Sequence, residues 1–324
     1  MRLIGYSQSN LALGSDVTLT IVSSKSPSSI DKIFSSLWHY IYSFERSFSR
    51  FIPGSELSLV NRSAGLNTKI SPEFKDLLQA AKDISVKTAG IYNPFILPAL
   101  QRMGYRHSAV PGYEDDSIDD YSRRKVVGID QLQIGDDWVY IPKDTAIDLG
   151  GCGKGYLADK LGHIATEIGL EGYRFSLGGD IATYGVDESG HKWLVGIQDA
   201  TNLSGEISKI IECPVEPFAI ATSGTFRRKS YAAEFDWHHI IDPMTLKSAI
   251  TDVRLATICA ESALVADVLA SCAVIVGSKK ASDFVKPLGA TSMLLQADNQ
   301  AMAFEKSYGP FIIKQLAKEG HISA

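Results

Sequence analysis

The chain has 324 residues, with 45% apolar, 21% charged and 9% aromatic side chains. That is ordinary globular composition, and it excludes disorder, a collagen-like repeat and a disulfide-dense scaffold. Thirty-two Lys and Arg against 37 Asp and Glu leave a formal charge of −5, so no global positive field draws nucleic acid to the surface. The four cysteines (Cys152, Cys213, Cys259 and Cys272) form no C-x-x-C pair and read as free thiols in a reducing compartment. The first residues, MRLIGYSQSNLALGSDV, hold one Arg and no apolar stretch of a secretory signal. The longest apolar run, 260–277, is broken by Glu261 and Asp267 and does not suit a membrane span. The expectation is a cytoplasmic, non-membrane protein; a removed signal segment would instead imply a periplasmic or membrane-anchored one.

In chain order, alternation at Val17, Leu19 and Ile21 predicts a half-buried strand after a polar start. Ser28 and Ser29 are candidate caps for a helix whose apolar stripe is Ile30, Ile33, Phe34, Leu37, Ile41 and Phe44. Ser71-Pro72 opens a second helix with stripe Phe74, Leu77, Leu78, Ala81 and Ile84, and Gly90 follows its end. Residues 109–125 are polar, with Pro-Gly and clustered acids, and read as an exposed loop. Beyond them the pattern predicts strands at 138–141, 173–177, 193–198, 206–212, 218–222, 237–241 and 254–258. Helices are expected at 154–169 and 260–271. Strands are too frequent and helices too irregular for a βαβ array, so the class is α+β, with mixed or antiparallel sheets flanked by helices. No repeat is present, and the whole of 1–324 reads as one domain, with room for two interlocked subdomains.

Five short motifs could carry chemistry. Gly150-Gly151-Cys152-Gly153-Lys154-Gly155 precedes a helix, so its backbone could approach a ligand and the helix start could offer N–H groups to an anion. It matches neither a Walker A loop nor G-x-G-x-x-G, and a tight structural turn explains it equally well. Gly178-Gly179-Asp180 is a second glycine pair that also suits a plain turn. Thr222-Ser223-Gly224-Thr225-Phe226-Arg227-Arg228 places hydroxyls beside two arginines, fit for phosphate or for a solvated loop. His239-Ile240-Ile241-Asp242-Pro243 holds a histidine that could be structural or a general base. Asp267 and Ser271, spaced i, i+4 in an apolar helix, share one face and offer hard oxygens suited to Mg²⁺, or else form a hydrogen-bonded core pair.

The order of these motifs resembles the ApbE family, the FAD:protein FMN transferases. Leu13-Gly14-Ser15 is similar to that family's Met-Gly-Thr. Phe48-Ser49-Arg50-Phe51, then Ser55-Glu56-Leu57 and Asn61, are similar to its S-R-y, S-E-i and N stretch, and Tyr92-Asn93-Pro94-Phe95 to its f-D-P segment. The likeness spans roughly residues 10–300. It implies an α+β protein that binds FAD in a cleft between subdomains and moves FMN onto a Thr or Ser hydroxyl of an acceptor flavoprotein, releasing AMP. By the same resemblance Asp267, Ser271 and the Gly153 carbonyl would ligate Mg²⁺, and His239 would be the base. Asn61, Gly153, Lys154, Gly178, Gly179, Asp180, Thr222 and Ser223 would line the nucleotide site. The chain departs from the pattern at Thr225 and Phe226 and at Met244-Thr245-Leu246 in place of Arg-Thr-Gly. It also has Asn93 for an acid and Ser271 for a threonine. An FAD-binding protein without transfer, or an FAD pyrophosphatase, are the alternatives.

Overall fold

The computed structural model describes residues 2–106, 119–200, 207–225, 229–230, 237–297, 303–307 and 313–315. Its centre is an eight-stranded sheet, antiparallel throughout, whose strands lie side by side in chain order. They are β1 (Ile4–Ala12), β2 (Ser15–Ser23), β3 (Gly172–Leu177), β4 (Asp180–Gly185), β5 (Phe218–Gly224), β6 (Val253–Ala260), β7 (Ser292–Ala297) and β8 (Ala303–Ser307). Long insertions therefore leave the sheet between β2 and β3, between β4 and β5, between β5 and β6, and between β6 and β7.

Strand β1 was not foreseen in the sequence, because its residues are mostly exposed and polar. Backbone pairing to β2 holds it, helped by cross-strand bonds Ser7 Oγ to Thr20 Oγ1 (3.1 Å) and Ser9 Oγ to Thr18 Oγ1 (2.9 Å). The first insertion carries α1 (Pro27–Phe48), α2 (Glu56–Arg62), α3 (Pro72–Lys87), α4 (Leu97–Arg102) and α5 (Gly153–Glu167). Helix α1 begins one turn earlier than expected: Ser26, not Ser28 or Ser29, caps it, and Pro27 supplies the first turn. Ser71 caps α3 as expected.

The supposed loop 109–125 divides. Residues 109–118 lie outside the described residues. The stretch after them is anchored, with Tyr121 buried and its N–H bonded to the Gln101 side chain, while Arg124 donates to the carbonyls of Asn61 and Thr145.

Helices α5 and α6 (Ala263–Val276) cover one face of the sheet, with α1 and α3 packed beyond them in one continuous core. A three-stranded antiparallel sheet of Ile313–Gln315, Ile207–Glu212 and Leu194–Gln198 lies against the other face, through Trp193, Val195, Ile197 and Ile211 on Val22, Phe218, Ile220 and Leu255. Helix α6 starts at Ala263 rather than 260, because β6 runs on to Ala260 and Ser262 is the cap. The strand expected over 237–241 is interrupted: only 237–238 and 241–242 pair, the first with 229–230 and the second with 247–248. No helix among the described residues is long and apolar enough to cross a membrane.

Helices α5 and α6 approach closely at Gly155. A Cβ added at Gly155 would stand 2.5 Å from the Ala263 carbonyl oxygen and 2.8 Å from the Leu264 Cα. One turn on, Asp159 accepts from Ala263 N–H (2.6 Å), Leu264 N–H (3.0 Å) and Ser262 Oγ (2.6 Å), closing the open N-terminus of α6. Burial raises the Asp159 pKa against those three bonds, which pull it down. Gly155→Ala is expected to lower the unfolding free energy by about 1–3 kcal/mol, read as a shift of the urea midpoint. An unchanged midpoint would mean that the helices part without cost.

Candidate active site

A cavity of about 610 Å³ opens between strands β2–β6, the head of α5, the inner face of α6 and residues 239–243. Its lining includes Lys154, Gly178, Gly179, Asp180, Thr222, Ser223, His239, Asp267 and Ser271. Five separate stretches of sequence thus meet at one place.

Each is positioned by a local device. Gly178 and Gly179 form the two-residue turn between β3 and β4, with φ of +67° and +102°, a geometry in which glycine carries no Cβ penalty. At Gly178 a Cβ would also strike the Ser15 side chain at 2.6 Å. The turn delivers Asp180, 4% exposed, into the cavity. Lys154, in the first turn of α5, sets its Nζ 2.8 Å from Asp180 Oδ2 and 4.0 Å from Asp267 Oδ2. Asp267, also 4% exposed, accepts the Gly155 N–H at 3.2 Å. Ser271, one turn along α6, shares a hydrogen bond of 2.9 Å with Ser223 on β5, and Thr222 shares one of 2.9 Å with Thr257 on β6.

One ammonium therefore serves two buried carboxylates, and it stands closer to Asp180. The second carboxylate and the Ser271 hydroxyl, on the same helical face, offer two hard oxygens, a chemistry that fits a divalent cation such as Mg²⁺. Gly153, expected to add its carbonyl to the metal, heads α5 and lines a side pocket rather than the main cavity. Among the described residues no group of three or more His, Cys, Asp or Glu clusters as a protein-only metal site. Any cation there would draw its remaining ligands from substrate and water.

The break in the 237–241 strand turns two adjacent histidines apart. His238 is held by the insertion, with its N–H on Ser248 Oγ (3.2 Å) and its Nε2 3.1 Å from the Ala249 carbonyl. His239 borders the cavity, edge-on to Tyr105 at 6.4 Å between ring centroids. Just beyond it Leu246 takes φ of +58°, left-handed backbone at the position where the resemblance puts glycine. Phe226, Arg227 and Arg228 lie outside the described residues, and Thr225 donates its N–H to the Arg254 carbonyl at 3.0 Å.

Asn61 is a correction. It does not line the cavity: it is fully buried, its Nδ2 donates to the Ile147 carbonyl (2.9 Å) and its Oδ1 accepts the Ile147 N–H (2.8 Å). Its role is to hold the backbone that leads into Asp148 and the glycine loop.

The sequence reading also missed a second ion pair. Arg50 Nε lies 2.8 Å from Asp148 Oδ2, with both side chains nearly buried, and the guanidinium lies over the Phe51 and Tyr105 rings. Arg50, Phe51, Tyr105 and Asp148 all border the cavity; the available signal was an Arg-aromatic pair and an acid preceding the glycines, far apart in sequence. Cys152, inside the glycine loop, is buried, and burial pushes its thiol up to about 12, so it is a poor nucleophile.

The chain belongs to the ApbE family, whose model matches residues 13–295. Curated relatives named FAD:protein FMN transferase include one from Salmonella typhimurium, 25% identical over 236 residues (71% of this chain and 67% of the relative). Another, from Treponema pallidum, is 25% identical over 321 residues (93% and 87%). Among solved structures, the apo flavinyl transferase ApbE of Pseudomonas stutzeri superposes with a TM-score of 0.78 at 18% identity, covering 95% of each chain. The ApbE protein of Thermotoga maritima gives 0.79 at 23% identity, covering 94% of this chain and 97% of its own. These likenesses establish the fold.

Asn61→Ala would strand the Ile147 N–H and carbonyl in the interior. It is expected to lower the unfolding free energy by about 2–4 kcal/mol, read by chemical denaturation. Wild-type stability would show that Ile147 finds other partners.

Proposed function

We propose that the protein is an Mg²⁺-dependent FAD:protein FMN transferase, which moves FMN from FAD onto a Thr or Ser hydroxyl of an acceptor flavoprotein and releases AMP. The observation that carries this reading is the meeting of Lys154, Asp180, Asp267 and Ser271 on one side of a cavity that His239 also lines. The names of the relatives support the transferase reading, and the chemistry of this donor set suits a pyrophosphate with its counterion.

In this reading Lys154, in the first turn of α5, holds the pyrophosphate through its ammonium. Asp267 and Ser271 would hold Mg²⁺, which neutralises phosphate charge when bound. His239 accepts the proton of the acceptor hydroxyl. The hydroxyl oxygen then attacks the FMN phosphorus, a P–O bond to the acceptor forms, and the anhydride P–O bond breaks to release AMP. No covalent intermediate on this chain is required, which agrees with the absence of a reactive thiol: among the described residues all four cysteines are buried and unpaired. Asp180 keeps Lys154 in place, and the Thr222–Thr257 and Ser223–Ser271 bonds hold the β5 hydroxyls toward the nucleotide.

AMP release and intact acceptor mass are the decisive measurements, with FAD and Mg²⁺ present and with or without an acceptor flavoprotein domain. AMP together with a mass gain of one FMN unit is expected. AMP without acceptor labelling would make the protein a pyrophosphatase, and FAD retained intact would make it a binding protein. Asp267→Ala should remove both AMP release and its Mg²⁺ dependence. His239→Ala should still bind FAD while transfer falls by about 10²–10⁴-fold; full transfer by that variant would exclude His239 as the base.

A further inference from the structure

Three charged side chains at the head of α5 differ in their freedom to move. Asp180 opens β4 directly after the glycine turn, paired across it with Leu177. Asp267 lies within α6 and accepts the Gly155 N–H at 3.2 Å. Both carboxylates are buried and fixed by backbone elements. Lys154 is different, because its ammonium rides on a flexible four-carbon stem. The stem passes the turn, where a Cβ at Gly178 would stand 3.6 Å from Lys154 Cε. From there Nζ reaches both acids, 2.8 Å from Asp180 Oδ2 and 4.0 Å from Asp267 Oδ2.

An ammonium and a divalent ion repel each other beside one carboxylate, and strongly so where water is sparse. In the empty protein Lys154 already stands as a counter-cation to Asp267, so an arriving ion meets a resident positive charge. A pyrophosphate changes the balance. Its oxygens attract the ammonium and add negative charge and ligands beside the ion. Each then raises the affinity for the other, by the same factor in both directions.

We propose that Lys154 makes cation binding at Asp267 conditional on the dinucleotide, and that Asp180 is the positioning residue that holds the ammonium off Asp267. This rests on the reading of Asp267 and Ser271 as cation ligands and of FAD as substrate. A purely structural ion pair between Lys154 and Asp180 would leave cation affinity unmoved.

The test is titration of the full chain with Mn²⁺, a paramagnetic stand-in for Mg²⁺. Free ion is read by electron paramagnetic resonance, for the empty and the FAD-saturated protein. Empty Lys154→Met should bind Mn²⁺ about tenfold more tightly than empty wild type, and FAD should enhance its binding by a smaller factor. Empty Asp180→Asn should bind Mn²⁺ more weakly than wild type, because the ammonium is released toward Asp267. In the Lys154→Met background, Asp180→Asn should have no such effect, since Asp180 acts through the lysine. Two variants that break one ion pair thus move the affinity in opposite directions, which a loss of stability does not produce. Equal Mn²⁺ affinity of empty wild type and Lys154→Met, or tighter binding by Asp180→Asn, overturns the proposal. An Asp180→Asn loss that persists without the lysine overturns the positioning role. FAD-saturated wild type that binds no Mn²⁺ overturns the cation reading together with this inference, and wild type that binds no FAD overturns the substrate reading.

Discussion

The contact on which the site depends is the one between Gly155 and the Ala263–Leu264 backbone. Any side chain at that position would push α5 and α6 apart. Because α5 presents Lys154 from its first turn, and α6 presents Asp267 and Ser271 from its inner face, the separation of the helices sets the separation of the charges. Asp159 ties the same two helices through three hydrogen bonds to the start of α6. The Gly155 N–H on Asp267 couples packing to the site directly, since the residue that is close-packed also donates to a carboxylate that lines the cavity.

The electrostatic design follows from that spacing. Lys154 lies between Asp180 and Asp267, nearer to Asp180, so the cavity sets one ammonium beside two carboxylates and the Ser271 hydroxyl. In the proposed reaction, a pyrophosphate with its divalent ion would meet that set of groups. Arg50 and Asp148 compensate each other nearby, and the aromatic rings over the guanidinium keep that pair dry. Away from the helices, the β3–β4 turn and the interrupted strand at His239 bring residues from opposite ends of the sheet to the same space.

The departures from the family pattern have physical consequences of different weight. Leu246 keeps the left-handed backbone that glycine adopts without cost, so the turn survives with some strain. Ser271 supplies the same oxygen chemistry as threonine and is held by Ser223. Asn93, in place of an acid, caps the Phe95 N–H and donates to the Val127 carbonyl, a structural use that requires no charge.

Much was legible from residues alone. Apolar periodicity marked α1, α3 and α5, the Ser71-Pro72 cap marked where α3 begins, and the ordered glycine, histidine and Asp/Ser motifs marked the stretches that meet in the cavity. These are local properties, set by side-chain volume, polarity and backbone freedom within a few residues. Strand β1 was hidden because backbone pairing, not burial, makes it a strand. Asn61 was read as a ligand contact because its sequence neighbours do not reveal that both ends of its amide are spent on Ile147. The Arg50–Asp148 pair and the sharing of Lys154 could be decided only by tertiary structure. Each depends on which distant group shares a low-dielectric space with it, and that is a property of packing rather than of spacing along the chain.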